Sequence, residues 1–252
     1  MKVISIVNNK GGVGKTTLTQ NLATGIANKG YSVGVIDLDP QANLSSLFKI
    51  ENSNDIRSIL QGSGKIKTDS FTKTHNPNLY ILPNKKDISA KMFANLEYFD
   101  EKKILLDKFG KIDFDFLIID TPPNLEVQTI NSLSVSDYVI IPIKYDLFSL
   151  QGLVTVKDYL EKIVEHVNPK LKILGIVATF VDERESNNAQ IKTKVTELFG
   201  EDLLKSKVRV NTKYKNSQLN RMSVYEHNDA KGINDMENLI EELFVKIKEM
   251  HD

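Results

Sequence analysis

The sequence predicts an α/β protein: a mostly parallel, twisted sheet with helices on both faces. Three observations predict it. The runs Val33-Gly34-Val35-Ile36, Phe116-Leu117-Ile118-Ile119 and Tyr138-Val139-Ile140-Ile141 are continuously apolar, as strands covered on both faces are. Between such runs lie longer segments with apolar residues at helical spacing, and strand–helix alternation implies parallel pairing. The first strand and first helix are joined by a glycine-rich turn, Gly11-Gly12-Val13-Gly14.

In chain order, strands are expected near 2–7, 32–37, 79–82, 115–120, 138–143 and 172–180. Helices are expected near 15–29, 87–109, 125–135, 148–166, 187–199 and 230–250. The first strand is Val3-Ile4-Ser5-Ile6-Val7, and the helical pattern from Leu18 to Ala27 follows the glycines. The second strand ends at Asp37-Leu38-Asp39, where Pro40 stops it and turns the chain. The stretch Glu51 to Asn78 is polar, carries Gly62-Ser63-Gly64-Lys65, and reads as an insertion. The strand near 115–120 ends in Asp120-Thr121-Pro122-Pro123. The last helix carries the stripe Leu239, Ile240, Leu243, Phe244 and Ile247, one face of a helix packed on the domain. No repeat, low-complexity tract or linker interrupts the pattern, so residues 1–252 are expected to form a single domain.

Bulk composition narrows the function. A chain of 252 residues, 40% apolar and 26% charged, can bury a full core. There is no cysteine, which excludes disulfides, thiolate metal sites and iron–sulfur clusters. The four histidines, His75, His166, His227 and His251, have no metal-ligand spacing. No apolar stretch approaches the length of a membrane span, and the chain begins directly with a strand rather than a signal peptide. A cytoplasmic protein is expected. The formal net charge is zero, so attraction to nucleic acid would have to come from a local patch.

The most informative stretch is Lys10-Gly11-Gly12-Val13-Gly14-Lys15-Thr16-Thr17. Strand, glycine loop and helix in that order are what a phosphate-binding loop requires. Glycines let backbone N–H groups turn inward, and the helix N-terminus favours an anion. Lys15 can reach terminal phosphates, and the Thr16 hydroxyl can hold Mg²⁺. Two carboxylate-tipped strands accompany the loop. Asp37 and Asp39 end the second strand, and Asp120 ends the apolar run Leu117-Ile118-Ile119. Carboxylates suit Mg²⁺, which prefers hard oxygen ligands and keeps several waters. The usual loop pattern has glycine where this chain has Asn9, and it lacks the extra lysine, Lys10.

From Leu203 to Arg221 six residues are basic (Lys205, Lys207, Arg209, Lys213, Lys215 and Arg221) and none is Asp or Glu. This strip, which Arg184, Lys192 and Lys194 could extend, suits contact with phosphate backbones without base reading.

The octapeptide at Lys10–Thr17 resembles the deviant Walker-A loop of the ParA/MinD family of P-loop ATPases. Asp37-Leu38-Asp39-Pro40-Gln41 and Asp120-Thr121-Pro122-Pro123 are similar to that family's next two motifs, in the same order. The resemblance implies the P-loop NTPase fold and an ATPase using ATP and Mg²⁺. It implies nucleotide binding by Lys10, Gly11, Gly12, Val13, Gly14, Lys15, Thr16 and Thr17, with Lys10 reaching across a homodimer to the partner's nucleotide. It implies that Asp39 orients the attacking water, that Asp37 supports the Mg²⁺ hydration shell, and that Asp120 joins Thr16 at the metal. Lys10, Lys15 and Asp39 are thus the expected catalytic residues. Val208-Arg209-Val210-Asn211 resembles the family's adenine-side segment, which marks Arg209 and Asn211, although the usual continuation is absent. The segment Ile141–Leu153 resembles the one that shapes the dimer face. No glutamate follows Asp120, which favours slow hydrolysis stimulated by a partner.

Within the family, the chain is most similar to small Soj-like partition ATPases, without the N-terminal DNA-binding extension of longer ParA proteins. That implies nonspecific DNA binding by the ATP dimer, through Arg184, Lys205, Lys207, Lys213, Lys215 and Arg221. It also implies a ParB-like partner, a role in plasmid or chromosome segregation and a nucleoid-associated location. Three alternatives are a MinD-like membrane-positioning ATPase, an ATP-gated scaffold that places a protein cluster on DNA, and a small-molecule ligase on the same fold. The last helix has more acid than base opposite its apolar stripe, which suits an anionic membrane poorly, and no membrane partner is expected.

Overall fold

The computed structural model describes residues 1–50, 54–85, 104–184, 187–211, 214 and 219–250. The apolar runs become the centre of one eight-stranded sheet. Its strands are β1 (Lys2–Ile6), β2 (Val33–Asp37), β3 (Thr72–Lys73), β4 (Leu79–Leu82), β5 (Phe116–Asp120), β6 (Tyr138–Ile143), β7 (Lys172–Val181) and β8 (Leu203–Arg209). They lie in the order β3-β4-β2-β5-β1-β6-β7-β8. Every neighbouring pair is parallel except β3 with β4.

Period-two alternation decides which helices cover which face. Ile4, Ile6, Val33, Val35 and Ile118 point into one cluster, with Leu18, Leu22, Ile26, Met236, Leu239, Ile240 and Leu243. Those partners come from helices α1 (Lys15–Asn28) and, at the far end of the chain, Ala230–Glu249. Val3, Ile36, Leu117 and Ile119 point the other way, toward Ile56 and Leu105. Val139, Ile141 and Ile176 also pack on that second face, against Leu133, Leu153, Val156, Val195 and Phe199. Among the described residues the remaining α-helices are α2 (Asn43–Leu47), α3 (Ile56–Gln61), α4 (Ile104–Lys108), α5 (Val127–Val135), α6 (Leu147–His166) and α7 (Asn187–Phe199), and Ala230–Glu249 is α8.

The six expected strands are all present, within two residues of their expected ends. Two more were not expected. In β8, Lys205, Lys207 and Arg209 alternate with Leu204, Ser206 and Val208, of which Leu204 and Val208 are buried. This is the pattern of a half-buried edge strand, and the density of lysine hides it. The polar stretch expected as an insertion contains α3 and β3, and Ile56 and Phe71 are buried in the core. Of the helix expected at 87–109, only Ile104–Lys108 lies within the described residues.

The stripe on α8 is packed as expected. Leu239, Ile240, Leu243 and Ile247 are buried, and Phe244 stacks on Phe116 with ring centroids 5.5 Å apart. Among the described residues no helix is long and apolar enough to cross a membrane.

Candidate active site

In an open α/β sheet the ligand crevice lies beyond the C-terminal strand ends, where the chain turns to opposite sides. Here β1 is flanked by β5 and β6, and the glycine loop leaves its end. The register sets Ile6 level with Asp120, and Asp120 level with Asp37. Three strand ends therefore meet beneath the loop.

The loop is held from below. Asn8 Nδ2 donates to the Pro142 carbonyl at 2.8 Å, and its Oδ1 accepts from Lys10 N at 2.9 Å. The Thr179 hydroxyl lies 2.7 Å from the Val13 carbonyl and 2.9 Å from that of Ile143. Gly12 and Gly14 have φ of +70° and +90°, a region that side chains with a Cβ resist. At Gly14 a Cβ would also come within 2.9 Å of the Phe180 ring. Asn9, the departure from the usual pattern, packs against α6, where Gly152 leaves room for its side chain.

Helix α1 opens after Gly14 with no side-chain cap, so its first N–H groups face the cavity as a ready anion site. Lys15 is buried, and its Nζ donates to the carbonyls of Asn8 and Lys10, each at 3.1 Å. Burial pulls its pKa down, opposed by Asp120 and Asp39. Thr16 Oγ1 donates to Asp120 Oδ2 at 2.8 Å, and Thr19 Oγ1 to Asp120 Oδ1 at 3.3 Å.

Asp37 and Asp120 are fully buried. Desolvation pushes Asp120 well above the usual carboxylate range, and the charge of Asp37 adds to it. Desolvation likewise lifts Asp37 to about 6, against hydrogen bonds from Ser45 and Asp39 N that favour its charge. Asp37 accepts from Asp39 N at 3.0 Å, Ser45 N at 2.8 Å and Ser45 Oγ at 2.7 Å. Asp39 accepts from Gln41 N at 2.9 Å, and burial raises its pKa too. Three carboxylates with raised pKa thus cluster here, and two of them, Asp39 and Asp120, act on a lysine of lowered pKa. A hard divalent cation would relieve that imbalance, and hydroxyl plus carboxylate is the donor set Mg²⁺ takes. Among the described residues no three acidic or imidazole groups form a metal cage by themselves, and Mg²⁺ ordinarily completes its shell with water and phosphate.

The cavity at the loop measures about 550 Å³ and is lined by Gly11, Gly12, Gly14, Lys15, Thr16, Thr17 and Asp39. Gln41, Asn43, Ser46, Leu47, Pro123 and Phe180 complete it. Phe180 has no sequence signal: it sits at φ +51°, a conformation a bulky residue adopts only when its surroundings impose it.

Other expected site residues lie elsewhere. Lys10 Nζ turns to the N-terminus of α6, 2.7 Å from Asp146 Oδ1 and 3.2 Å from Ser149 Oγ, beside the exposed Phe148 ring. Asp146 also caps α6, accepting from Ser149 N at 2.7 Å, and the Asp-x-x-Ser spacing was its available signal. Arg209 does not line the loop cavity. Its guanidinium donates to Asp235 Oδ1 at 2.9 and 2.6 Å, at a separate groove of about 630 Å³ between β8 and α8. Asn211 donates to the Asp229 carboxylate.

The basic strip, free of acid in sequence, is not free of acid in space. Lys207 pairs with Glu183 at 2.5 Å and Arg184 with Asp182 at 2.6 Å. Glu242 of α8 accepts from Lys205 N and Ser206 N, each at 2.8 Å. The Lys205 and Arg221 side chains are exposed. Lys213 and Lys215 lie outside the described residues.

Residues 1–173 match the family described as AAA domain (AAA_31). The chain is 32% identical over 208 residues to the chromosome partitioning protein ParA of Caulobacter vibrioides, spanning 80% of this chain and 78% of that one. Among solved structures, a candidate plasmid partition protein of Borrelia burgdorferi B31 bound to AMPPNP superposes with a TM-score of 0.79 at 26% identity, covering 97% and 98% of the two chains. The septum site-determining protein MinD of Pyrococcus horikoshii OT3, complexed with Mg-ADP, shares the fold with a TM-score of 0.78 at 24% identity, covering 96% and 95%. With the glycine loop, both carboxylate strand tips and the sheet order in their places, the chain belongs to the AAA domain family and, within it, to the ParA/MinD group of P-loop ATPases.

Proposed function

We propose that the protein is an ATP-dependent partition ATPase whose ATP-bound homodimer holds DNA nonspecifically and releases it on hydrolysis. One observation carries the catalytic part: Lys15, Thr16, Asp37, Asp39 and Asp120 converge beneath an uncapped helix N-terminus. The reaction is ATP plus water to ADP plus phosphate. The N–H groups at Gly11–Thr17 and the Lys15 ammonium bind the phosphates. Mg²⁺, when bound, neutralises charge on the transferred group. Thr16 and Asp120 would hold it, with Asp37 behind its waters. Asp39, at the cavity wall, orients the attacking water. Lys10 would leave Asp146 and meet the partner's phosphates, offsetting the repulsion of two facing triphosphates.

The basic strip is the proposed DNA contact, with Arg209 and Asn211 on the adenine side of it. Lys207 and Arg184 would exchange protein carboxylates for DNA phosphates, so affinity should be weak without the doubling that a dimer supplies. A ParB-like partner would stimulate hydrolysis. The membrane reading has less support, because the apolar stripe of α8 is buried against α1 and the sheet.

The test is mass in solution by light scattering with ATP, with ADP and without nucleotide, in parallel with ATP turnover. A dimer with ATP alone, separating as ATP is consumed, supports the cycle. A monomer in all three states contradicts it.

A further inference from the structure

We infer that Asn84 is a positioning residue for hydrolysis, acting through Asp39. The inference rests on the proposed role of Asp39 as the group that orients water. Asp39 lies beyond the end of β2, on a loop with no ladder partner of its own, so something must fix its backbone. Its N–H is held by Asp37 Oδ1 at 3.0 Å. Its carbonyl accepts from Ala42 N at 2.8 Å, within the same turn. The second bond to that carbonyl comes from Asn84 Nδ2 at 3.0 Å, from a residue 45 positions later.

Asn84 is well placed for this. It follows β4, whose register with β2 pairs Ile36 with Leu82, so it runs alongside the carboxylate loop. Its backbone N donates to Ser45 Oγ at 2.7 Å, and that hydroxyl donates to Asp37 Oδ2 at 2.7 Å. Its own Oδ1 accepts from Lys85 N at 3.0 Å, fixing the amide orientation so that Nδ2 faces Asp39. The side chain is buried, with 5% exposed, and does not line the loop cavity. Asn84 therefore stands behind Asp39, outside the cavity lining. It ties the Asp37 and Asp39 segment to a rigid neighbouring strand. A carbonyl has two acceptor positions, and Ala42 and Asn84 fill both. Without the amide the Asp39 carbonyl, in a turn where Ala42 already sits at φ +50°, keeps among the described residues the bond from Ala42 N alone.

The experiment is single-turnover hydrolysis by the full chain at saturating ATP and Mg²⁺, with equilibrium ATP affinity and thermal midpoint measured on the same samples. Asn84→Ala removes the amide, and Asn84→Asp keeps the shape while losing the donor. Displacing a catalytic group by an ångström costs up to about 100-fold, so both variants should hydrolyse about 10- to 100-fold more slowly with ATP affinity changed by less than about twofold. Added to Asp39→Ala, Asn84→Ala should slow the residual rate no further. Unchanged hydrolysis in the single variants overturns the inference, as does a loss confined to ATP affinity or a full additional loss on top of Asp39→Ala. Asp39→Ala alone separates the two ideas. If it hydrolyses normally, the water-orienting reading falls and the inference with it. If it is inactive while the Asn84 variants match wild type, only the inference falls.

Discussion

Thr16 Oγ1 donates to Asp120 Oδ2 at 2.8 Å, joining the first turn of α1 to the tip of β5 across 104 positions of sequence. The contact exists because β1 and β5 are sheet neighbours with Ile6 level with Asp120. The parallel register, not local sequence, thus brings the hydroxyl and the carboxylate to one point. Both groups are ones that would share a cation, and the hydrogen bond holds them in place without it. Thr16→Ala should leave Asp120 buried with a weaker set of donors and reduce the Mg²⁺ requirement's sharpness in a titration of ATP binding. An unchanged Mg²⁺ titration would remove Thr16 from the metal.

Lys15→Ala should abolish productive ATP binding. A hydrogen bond to a charged group is worth about 1.5–3 kcal/mol, so a loss of about 10- to 100-fold in affinity is the least expected. Isothermal titration with a non-hydrolysable analogue reads it. Normal affinity would contradict the loop assignment.

Asp39→Ala should bind ATP and fail to hydrolyse it, leaving a long-lived ATP dimer. Turnover by phosphate release, together with dimer lifetime, separates this from a binding defect. Unchanged turnover would take Asp39 out of the mechanism.

The ion pair of Lys10 and Asp146 leaves side chains 32% and 39% exposed, so water screens it and it is worth about 0–1 kcal/mol. Lys10→Ala should therefore barely move the thermal midpoint, spare nucleotide binding to the monomer and block hydrolysis in the dimer. Asp146→Ala should cost more stability, about 1 kcal/mol, because it also removes the N-cap of α6. If Lys10→Ala turned over normally, the cross-dimer role would be wrong.

The buried carboxylates give the ligand-free protein a definite pH response. Asp37 titrates near 6 when folded, against 3.8 as its ordinary value. Between those values the folded chain keeps a proton that the unfolded chain has lost. The stabilisation is complete below the unfolded value and disappears as pH rises through about 6. Asp120 shifts in the same direction. Other carboxylates, such as Asp55 and Glu242, shift downward, so the test is a difference. Relative to Asp37→Asn, wild type should lose stability as pH rises from about 4 to 7. A pH-independent difference in thermal midpoint would contradict the assigned shift.

Much of the fold was legible because its central strands are buried on both faces, and that leaves a continuous apolar run. Strand β8 was not, because an edge strand with lysine and arginine on its open side looks like a basic loop. The glycine loop, Asp37, Asp39 and Asp120 could be placed together because each opens a helix or lies at, or just past, the end of a recognisable strand. Asn84 and Phe180 could not. Asn84 acts through one side-chain bond to a carbonyl 45 positions away, and Phe180 takes a backbone conformation its residue type does not suggest. The acid partners of the basic strip were hidden for a similar reason. Glu183 follows β7, and Asp235 and Glu242 belong to α8, so only the folded sheet brings them to β8; Asp182, two positions before its partner Arg184, was the one in plain view.

ATP gating of DNA binding is the step on which the proposed cycle turns. Its most direct test is the anisotropy of a fluorescent random-sequence duplex titrated with the protein, with ATP, with ADP and without nucleotide, over a series of salt concentrations. Binding is expected with ATP alone, falling steeply with salt as phosphate contacts release counterions. Binding that is absent or equal in all three states would contradict it.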